Sequence, residues 1–293
     1  MRKHYLFDSK LYYSFLHILL FFYIYSIQFV GVPLSIGTRV FMGIIGFSMF
    51  SYKLLETFKP FVFNKQFLNL YIALFFISFF SFLSVIYNKT FDLEFFLKYQ
   101  ISIVIIIFAS YFVTKMISYG SKDDRHIPII FKLFINVVLI QIAIALIMFV
   151  FPPIRDSLNT IQVTSELELK LLEKTLEFRL IGFGSKFFGS GIVNGFALIL
   201  IGSIIKYNSD IKINVLKHAL SFLFIFIFGM MMARTTIIGA LLALGIVFWP
   251  SLKLNLNQIK NNLKFLFFIF FIPTILIFAI FSLFPEIRDS LEL

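Results

Sequence analysis

Apolar runs long enough to cross a bilayer recur from one end of this chain to the other, and no stretch between them is long enough for a water-soluble domain of ordinary size. About 20 apolar residues fill the roughly 30 Å of hydrocarbon in a membrane. The runs cover Leu11–Phe29, Val40–Leu55, Phe67–Tyr87, Phe95–Ile117, Ile127–Phe151, Phe188–Ile205, Ala219–Met232, Thr235–Trp249 and Leu263–Phe284. They lack the alternation of a barrel strand, and a lipid-exposed backbone must satisfy its own hydrogen bonds, so each is read as a helix. The expected fold is all-α: a polytopic integral membrane protein of about nine transmembrane helices, forming a single transmembrane domain over 1–293. The opening MRKHYLFDSK is basic and leads into a run too long for a signal-peptide core, with no small-residue cleavage site after it, so that run is a retained first helix.

Residues 217–250 might be taken as one helix with Arg234 inside it, but that helix would be about 50 Å long at ~1.5 Å per residue, well beyond the membrane. It would also put Lys206, Lys212 and Lys217 across the membrane from Lys253, Lys260 and Lys264, against the tendency of basic residues to stay cytoplasmic. A hairpin with Arg234 at its tip avoids both conflicts.

With the N-terminus cytoplasmic and the C-terminus outside, the inner segments hold 16 of the 26 basic residues and 5 of the 15 acidic ones, while the outer segments hold 10 of each. The whole formal charge of +11 therefore lies inside. Basicity is here an orientation signal and not a sign of nucleic acid, which is not an expected partner. The two cations are sorted differently: 14 of the inner 16 are Lys, whereas five of the seven arginines, Arg39, Arg155, Arg179, Arg234 and Arg288, are outside. Orientation needs only positive charge, but a guanidinium grips phosphate in two places at once. An anionic ligand in the outer leaflet accounts for arginine kept there.

The longest outer segment is 152–187. Within it, residues 165–178 read as a short amphipathic helix: Ser165 and Glu168 have capping-box spacing, Glu166 and Lys170 are an i, i+4 pair, and Leu169, Leu172 and Leu176 share a face. It is either a connector with an apolar underside or a lid over a lipid-linked substrate. Past it, Gly182 and Gly184 let the backbone turn sharply beside Arg179 and Lys186. The spacing fits neither a Walker A loop nor a dinucleotide fingerprint, and Gly191 and Gly195 have the small-xxx-small spacing that lets membrane helices pack closely. Arg39, Arg179 and Arg234 each precede a helix running inward, so each stands near a helix N-terminus, where free N–H groups and the dipole favour phosphate. Thr235 and Thr236 can cap their helix or donate hydroxyls to the same anion. Snorkelling at headgroup level is the alternative for each arginine.

No metal and no cofactor is expected: the chain has no cysteine, and its four histidines (His4, His17, His126 and His218) all fall away from the outer face. The general base is unassigned, with Asp156 or an outer-loop Glu as candidates.

Two stretches, Arg179–Leu200 and Phe226–Gly245, the latter containing GMMMARTTIIG, resemble the membrane core of the O-antigen polymerase and O-antigen ligase superfamily. The pattern is an Arg before a Gly-rich opening with an Asn-Gly element, then a small residue, Arg, Thr and Gly at the start of a later helix. Here it is carried by Arg179, Gly182, Asn194, Gly195, Arg234, Thr235 and Gly239. The resemblance implies a glycosyltransferase of the bacterial inner membrane that polymerises undecaprenyl-diphosphate-linked oligosaccharide repeat units for a surface polysaccharide. A chain-length regulator and a flippase of the same pathway would be partners. Arg179 and Arg234 would act catalytically on the pyrophosphate, and Arg39, Gly182, Gly184, Lys186, Asn194, Thr235 and Thr236 would bind substrate. Such proteins continue through a further large outer loop, where ligases carry a histidine. This chain stops at PEIRDSLEL after its ninth run, so it is expected to be cut short there.

A ligase is the nearest alternative. A lipid-linked oligosaccharide transporter or flippase is the rival from another class, although no Asp or Glu falls deep within any run and no internal repeat is present. A non-catalytic membrane subunit is the third.

Overall fold

A computed structural model of the chain describes residues 10–32, 36–57, 65–88, 93–120, 126–163, 179–184, 187–207, 214–249 and 256–283. The described elements are helices: α1 Lys10–Ile24, α2 Thr38–Thr57, α3 Lys65–Tyr87, α4 Leu93–Gly120, α5 His126–Val150, α6 Pro152–Ile161, α7 Phe187–Tyr207, α8 Val215–Met232, α9 Thr236–Phe248 and α10 Leu256–Leu283. Among them, four stretches are long and apolar enough to cross a membrane: Gln100–Tyr119, Ile127–Val150, Gly189–Tyr207 and Val215–Met232. Lys10–Ile24, Ile72–Tyr87 and Thr236–Phe248 are shorter apolar helices. Their surfaces carry large apolar side chains turned outward, such as Phe41, Phe76, Ile192, Leu241 and Phe267. Apolar exposure on this scale suits hydrocarbon and not water, and the protein is membrane-embedded.

The sequence reads as one membrane domain, whereas the chain separates into two compact units, Met1–His126 and Ile127–Leu293. In the first, α2 packs on α4 through two glycines: Gly43 lies over Ile105, and a Cβ at Gly46 would collide with the Phe108 carbonyl. Two tyrosines tie α1 to α4, with the Tyr12 hydroxyl donating to the Met116 carbonyl and the Tyr23 hydroxyl bonded to Ser110 Oγ, each at 2.5 Å.

The first apolar run, Leu11–Phe29, is not helical to its end: α1 stops at Ile24. The cause is a set of side chains from the start of α2. Thr38 Oγ1 donates to the Phe22 carbonyl at 2.8 Å, Arg39 Nε to the Tyr23 carbonyl at 2.9 Å, and an Arg39 terminal nitrogen to the Ile24 carbonyl at 2.7 Å. A helix end leaves carbonyls unsatisfied and carries the negative end of the dipole, so a guanidinium there is doubly favourable.

The second unit gathers α5, α7, α8, α9 and α10 around a core that includes Ile142, Ala197, Ile201, Phe222, Ala243 and Phe265. Here α7 and α9 lie so close that Gly195 meets Gly239 and Gly202 meets Ala243 backbone to backbone. Small residues at such positions let membrane helices approach. At the far end of this pair Lys206, on the last turn of α7 and 2% exposed, donates from Nζ to the carbonyls of Ile246 (2.7 Å) and Trp249 (2.9 Å). The ammonium thereby satisfies carbonyls at the C-terminal end of α9.

Candidate functional site

Between α8 and α9 the chain breaks for three residues. Ala233 is extended (φ −156°, ψ 126°), its N–H closing the last turn of α8 on the Gly229 carbonyl at 2.8 Å. Arg234 and Thr235 follow, both exposed, before α9 begins at Thr236. Thus Arg234 does stand in a turn between two helices, as the sequence requires. The two threonines differ from expectation. Thr236 is fully buried, and its hydroxyl donates to the Gly229 carbonyl at 2.9 Å. That proton is used to close α8 and is not offered to a ligand, so Thr236 leaves the anion-binding set. Thr235 is the N-cap residue of α9 but makes no side-chain capping bond. Its Oγ1 lies against Gly191 of α7, where any Cβ would collide with it.

The stretch from Arg179 to Gly184 is not helical. Its contacts include three hydrogen bonds. The Leu180 N–H donates to the Met231 carbonyl at 3.2 Å, which ties the residue after Arg179 to the last turn of α8, three residues before Arg234. Gln141 Nε2, from α5, donates to the Phe183 carbonyl at 2.9 Å. Gln162, just past α6, accepts the Gly184 N–H at 3.2 Å. The two glycines have separate reasons. Gly184 has φ +69°, a conformation that side chains disfavour. Gly182 is where the chain passes over Gln141, and a Cβ there would strike the side-chain amide.

Gln141 is nine residues short of Val150, the last residue of α5, about 14 Å along the axis at ~1.5 Å per residue. The Arg179–Gly184 segment therefore dips well below the end of α5. Irregular backbone at such depth is tolerated only where protein or a wet cavity covers it. Leu180, 2% exposed, and the buried Gly182 meet that condition. Two buried amide oxygens, Gln141 Oε1 and Asn194 Oδ1, have no hydrogen-bond partner among the described residues. Asn194 is fully buried on α7, its Nδ2 making only a weak 3.7 Å contact with Met232 Sδ. An amide oxygen is an acceptor, so it suits a hydroxyl or water and not a phosphate oxygen.

The outer arginines now fall into two groups. Arg39, in the first unit, is engaged with the end of α1 and packs on the Tyr23 ring at 5.6 Å. Arg155 lies on α6 and pairs with Asp156 at 3.1 Å. By contrast, the guanidinium groups of Arg179, half-buried, and Arg234, exposed, have no hydrogen-bond or carboxylate partner among the described residues. Arg39 is thus better accounted for as a helix-end staple than as a substrate ligand. Asp156 is 67% exposed and is paired with Arg155. Lys186, Arg288, the expected helix 165–178 and its glutamates lie outside the described residues.

Sequence reasoning missed Gln141, whose partner Phe183 is 42 residues away. It also missed α6, which the Pro152-Pro153 pair at its first turn signals. Comparison of the chain with protein-family models, with curated proteins and with solved structures gives no match.

Proposed function

We propose that this chain is a membrane glycosyltransferase that polymerises undecaprenyl-diphosphate-linked oligosaccharide repeat units at the outer face of a bacterial inner membrane. In this reading the protein crosses the membrane about nine times with its N-terminus cytoplasmic, an orientation supported by the +11 charge falling wholly on the inner segments.

The observation that carries the reading is the pairing of two arginines whose guanidinium groups have no partner among the described residues. Arg179 and Arg234 are held on adjoining pieces of backbone by the Leu180–Met231 hydrogen bond. A pyrophosphate between them would meet two bidentate donors beside the positive dipole end of α9. During transfer the bond between the anomeric carbon and the phosphate oxygen breaks, and its electron pair goes to the lipid pyrophosphate. A new glycosidic bond forms to a hydroxyl of the incoming repeat, whose proton is released. The arginines favour this step because charge on the leaving oxygen grows as the bond breaks. The acceptor oxygens of Gln141 and Asn194 suit hydroxyl groups of the sugar.

The test is complementation. In a strain deleted for the gene, surface polysaccharide is resolved by length on a gel while wild type, Arg179→Ala and Arg234→Ala are expressed at matched levels. Wild type is expected to restore a ladder, and each arginine variant to collapse it to single repeats. Normal ladders from both variants would sink this site. Absence of polysaccharide in the deletion strain with lipid-linked repeats trapped inside would favour a flippase instead.

A further inference from the structure

A cavity of about 500 Å³ opens on the first unit between the C-terminal turns of α2 and α4. This is within the range of roughly 300–1,000 Å³ typical of small-ligand sites. Tyr52, Lys53 and Glu56 reach it from α2, and Tyr111, Lys115 and Tyr119 from α4. Among the described residues, two lysines therefore line it against one glutamate. Lys115 Nζ lies 5.8 Å from the centre of the Tyr111 ring and has no carboxylate partner among the described residues. Lysines that merely anchor a helix splay outward toward the headgroups, whereas these two, from different helices, line one hollow. Beside it α2 turns Phe47, Leu54 and Leu55 to the surface, and Tyr52 and Tyr119 are 70% and 62% exposed. The chemistry is a cationic hollow with phenol donors, one carboxylate acceptor and an apolar track along one side.

We propose that this cavity binds a phosphate ester through Lys53 and Lys115, and that the ester is the headgroup of an anionic glycerophospholipid. Phenol hydroxyls donate to phosphate oxygens, and Glu56 accepts from headgroup hydroxyls. The acyl chains lie along the exposed apolar face of α2. A glycerol headgroup meets these demands, and a choline headgroup, with no hydroxyl and no net charge, does not. In the charge-derived topology both lysines are on the inner side, where basic pockets between membrane helices take up anionic headgroups. The site is independent of the glycosyltransferase reading and involves none of its residues.

The experiment uses the full chain in phosphatidylcholine nanodiscs doped with phosphatidylglycerol, with retained lipids counted by native mass spectrometry after extraction. The wild type is expected to retain phosphatidylglycerol at least tenfold over its share of the bilayer. Lys53→Gln/Lys115→Gln should lose that enrichment, while Lys217→Gln/Lys264→Gln, with the same change in charge, should keep it. Millimolar inorganic phosphate distinguishes the source: no displacement supports a lipid headgroup, and full displacement with the same lysine dependence supports the phosphate site but overturns the lipid as its ligand. No enrichment in wild type, or equal loss in both double variants, overturns the proposal altogether. The wild-type enrichment is readable even if a variant folds poorly.

Discussion

Gly239 of α9 sits against Gly195 of α7 so closely that a Cβ on Gly239 would overlap the Gly195 backbone, whereas a Cβ on Gly195 would meet Gly239 Cα at 3.3 Å. The contact is asymmetric, and the asymmetry can be measured.

Gly239→Ala is expected to destabilise the second unit by about 1–3 kcal/mol, since backbone on the other side cannot move aside cheaply. Gly195→Ala should cost less, and Gly245→Ala, with nothing within 4 Å of the added carbon, should be neutral or slightly stabilising. Melting temperatures of the detergent-purified variants should follow that order. A Gly239→Ala protein as stable as wild type would disprove the packing described for α7 and α9.

Arg39→Ala should lower stability by about 1–3 kcal/mol, because charge-assisted bonds to the end of α1 are lost. At matched protein level the polysaccharide ladder should keep its length distribution, unlike the ladders of Arg179→Ala and Arg234→Ala. Equal collapse in all three would return Arg39 to the substrate site.

Gly182 and Gln141 form a pair suited to a double-mutant cycle. Gly182→Ala should be destabilising, and Gln141→Ser, although it removes the bond to the Phe183 carbonyl, should make room for the new methyl. The double variant should therefore be more stable than the sum of the single changes predicts, by about 0.5–3 kcal/mol of coupling. Strict additivity in thermal unfolding would show that the two do not touch.

Lys206→Met keeps much of the side-chain volume but leaves the Ile246 and Trp249 carbonyls unbonded. Each buried acceptor left without a partner costs about 1–3 kcal/mol. Hydrogen exchange should show faster exchange at the C-terminal end of α9, with its N-terminal half unchanged.

The helices were legible because hydrocarbon demands apolar runs of a certain length, and every described helix apart from α6 overlaps one of those runs. The Arg234 turn was legible too, since one long helix would have violated both membrane thickness and charge placement. What the runs could not reveal was anything decided by side chains from elsewhere. Thr38 and Arg39 cut α1 short of Phe29, and their hydropathy carries no trace of this. Thr235 and Thr236 look interchangeable in the chain, yet only Thr236 turns inward, its hydroxyl joining the Ala233 N–H on the Gly229 carbonyl. Arg39, Arg179 and Arg234 each read in the sequence as preceding a helix, yet Arg39 lies within the first turn of α2, Arg179 eight residues ahead of α7 and Arg234 two ahead of α9.

The second unit also restricts where movement can occur. Helix α7 holds α9 at both ends, by Gly191 beneath Thr235 at one and by the Lys206 ammonium on the final carbonyls at the other. A rod clamped at two points can neither slide nor swivel against its neighbour, so α7 and α9 form one stiff plate. Movement in this unit is then left to parts outside that plate, such as the non-helical Arg179–Gly184 segment, whose ties to its surroundings include the Leu180–Met231, Gln141–Phe183 and Gln162–Gly184 hydrogen bonds.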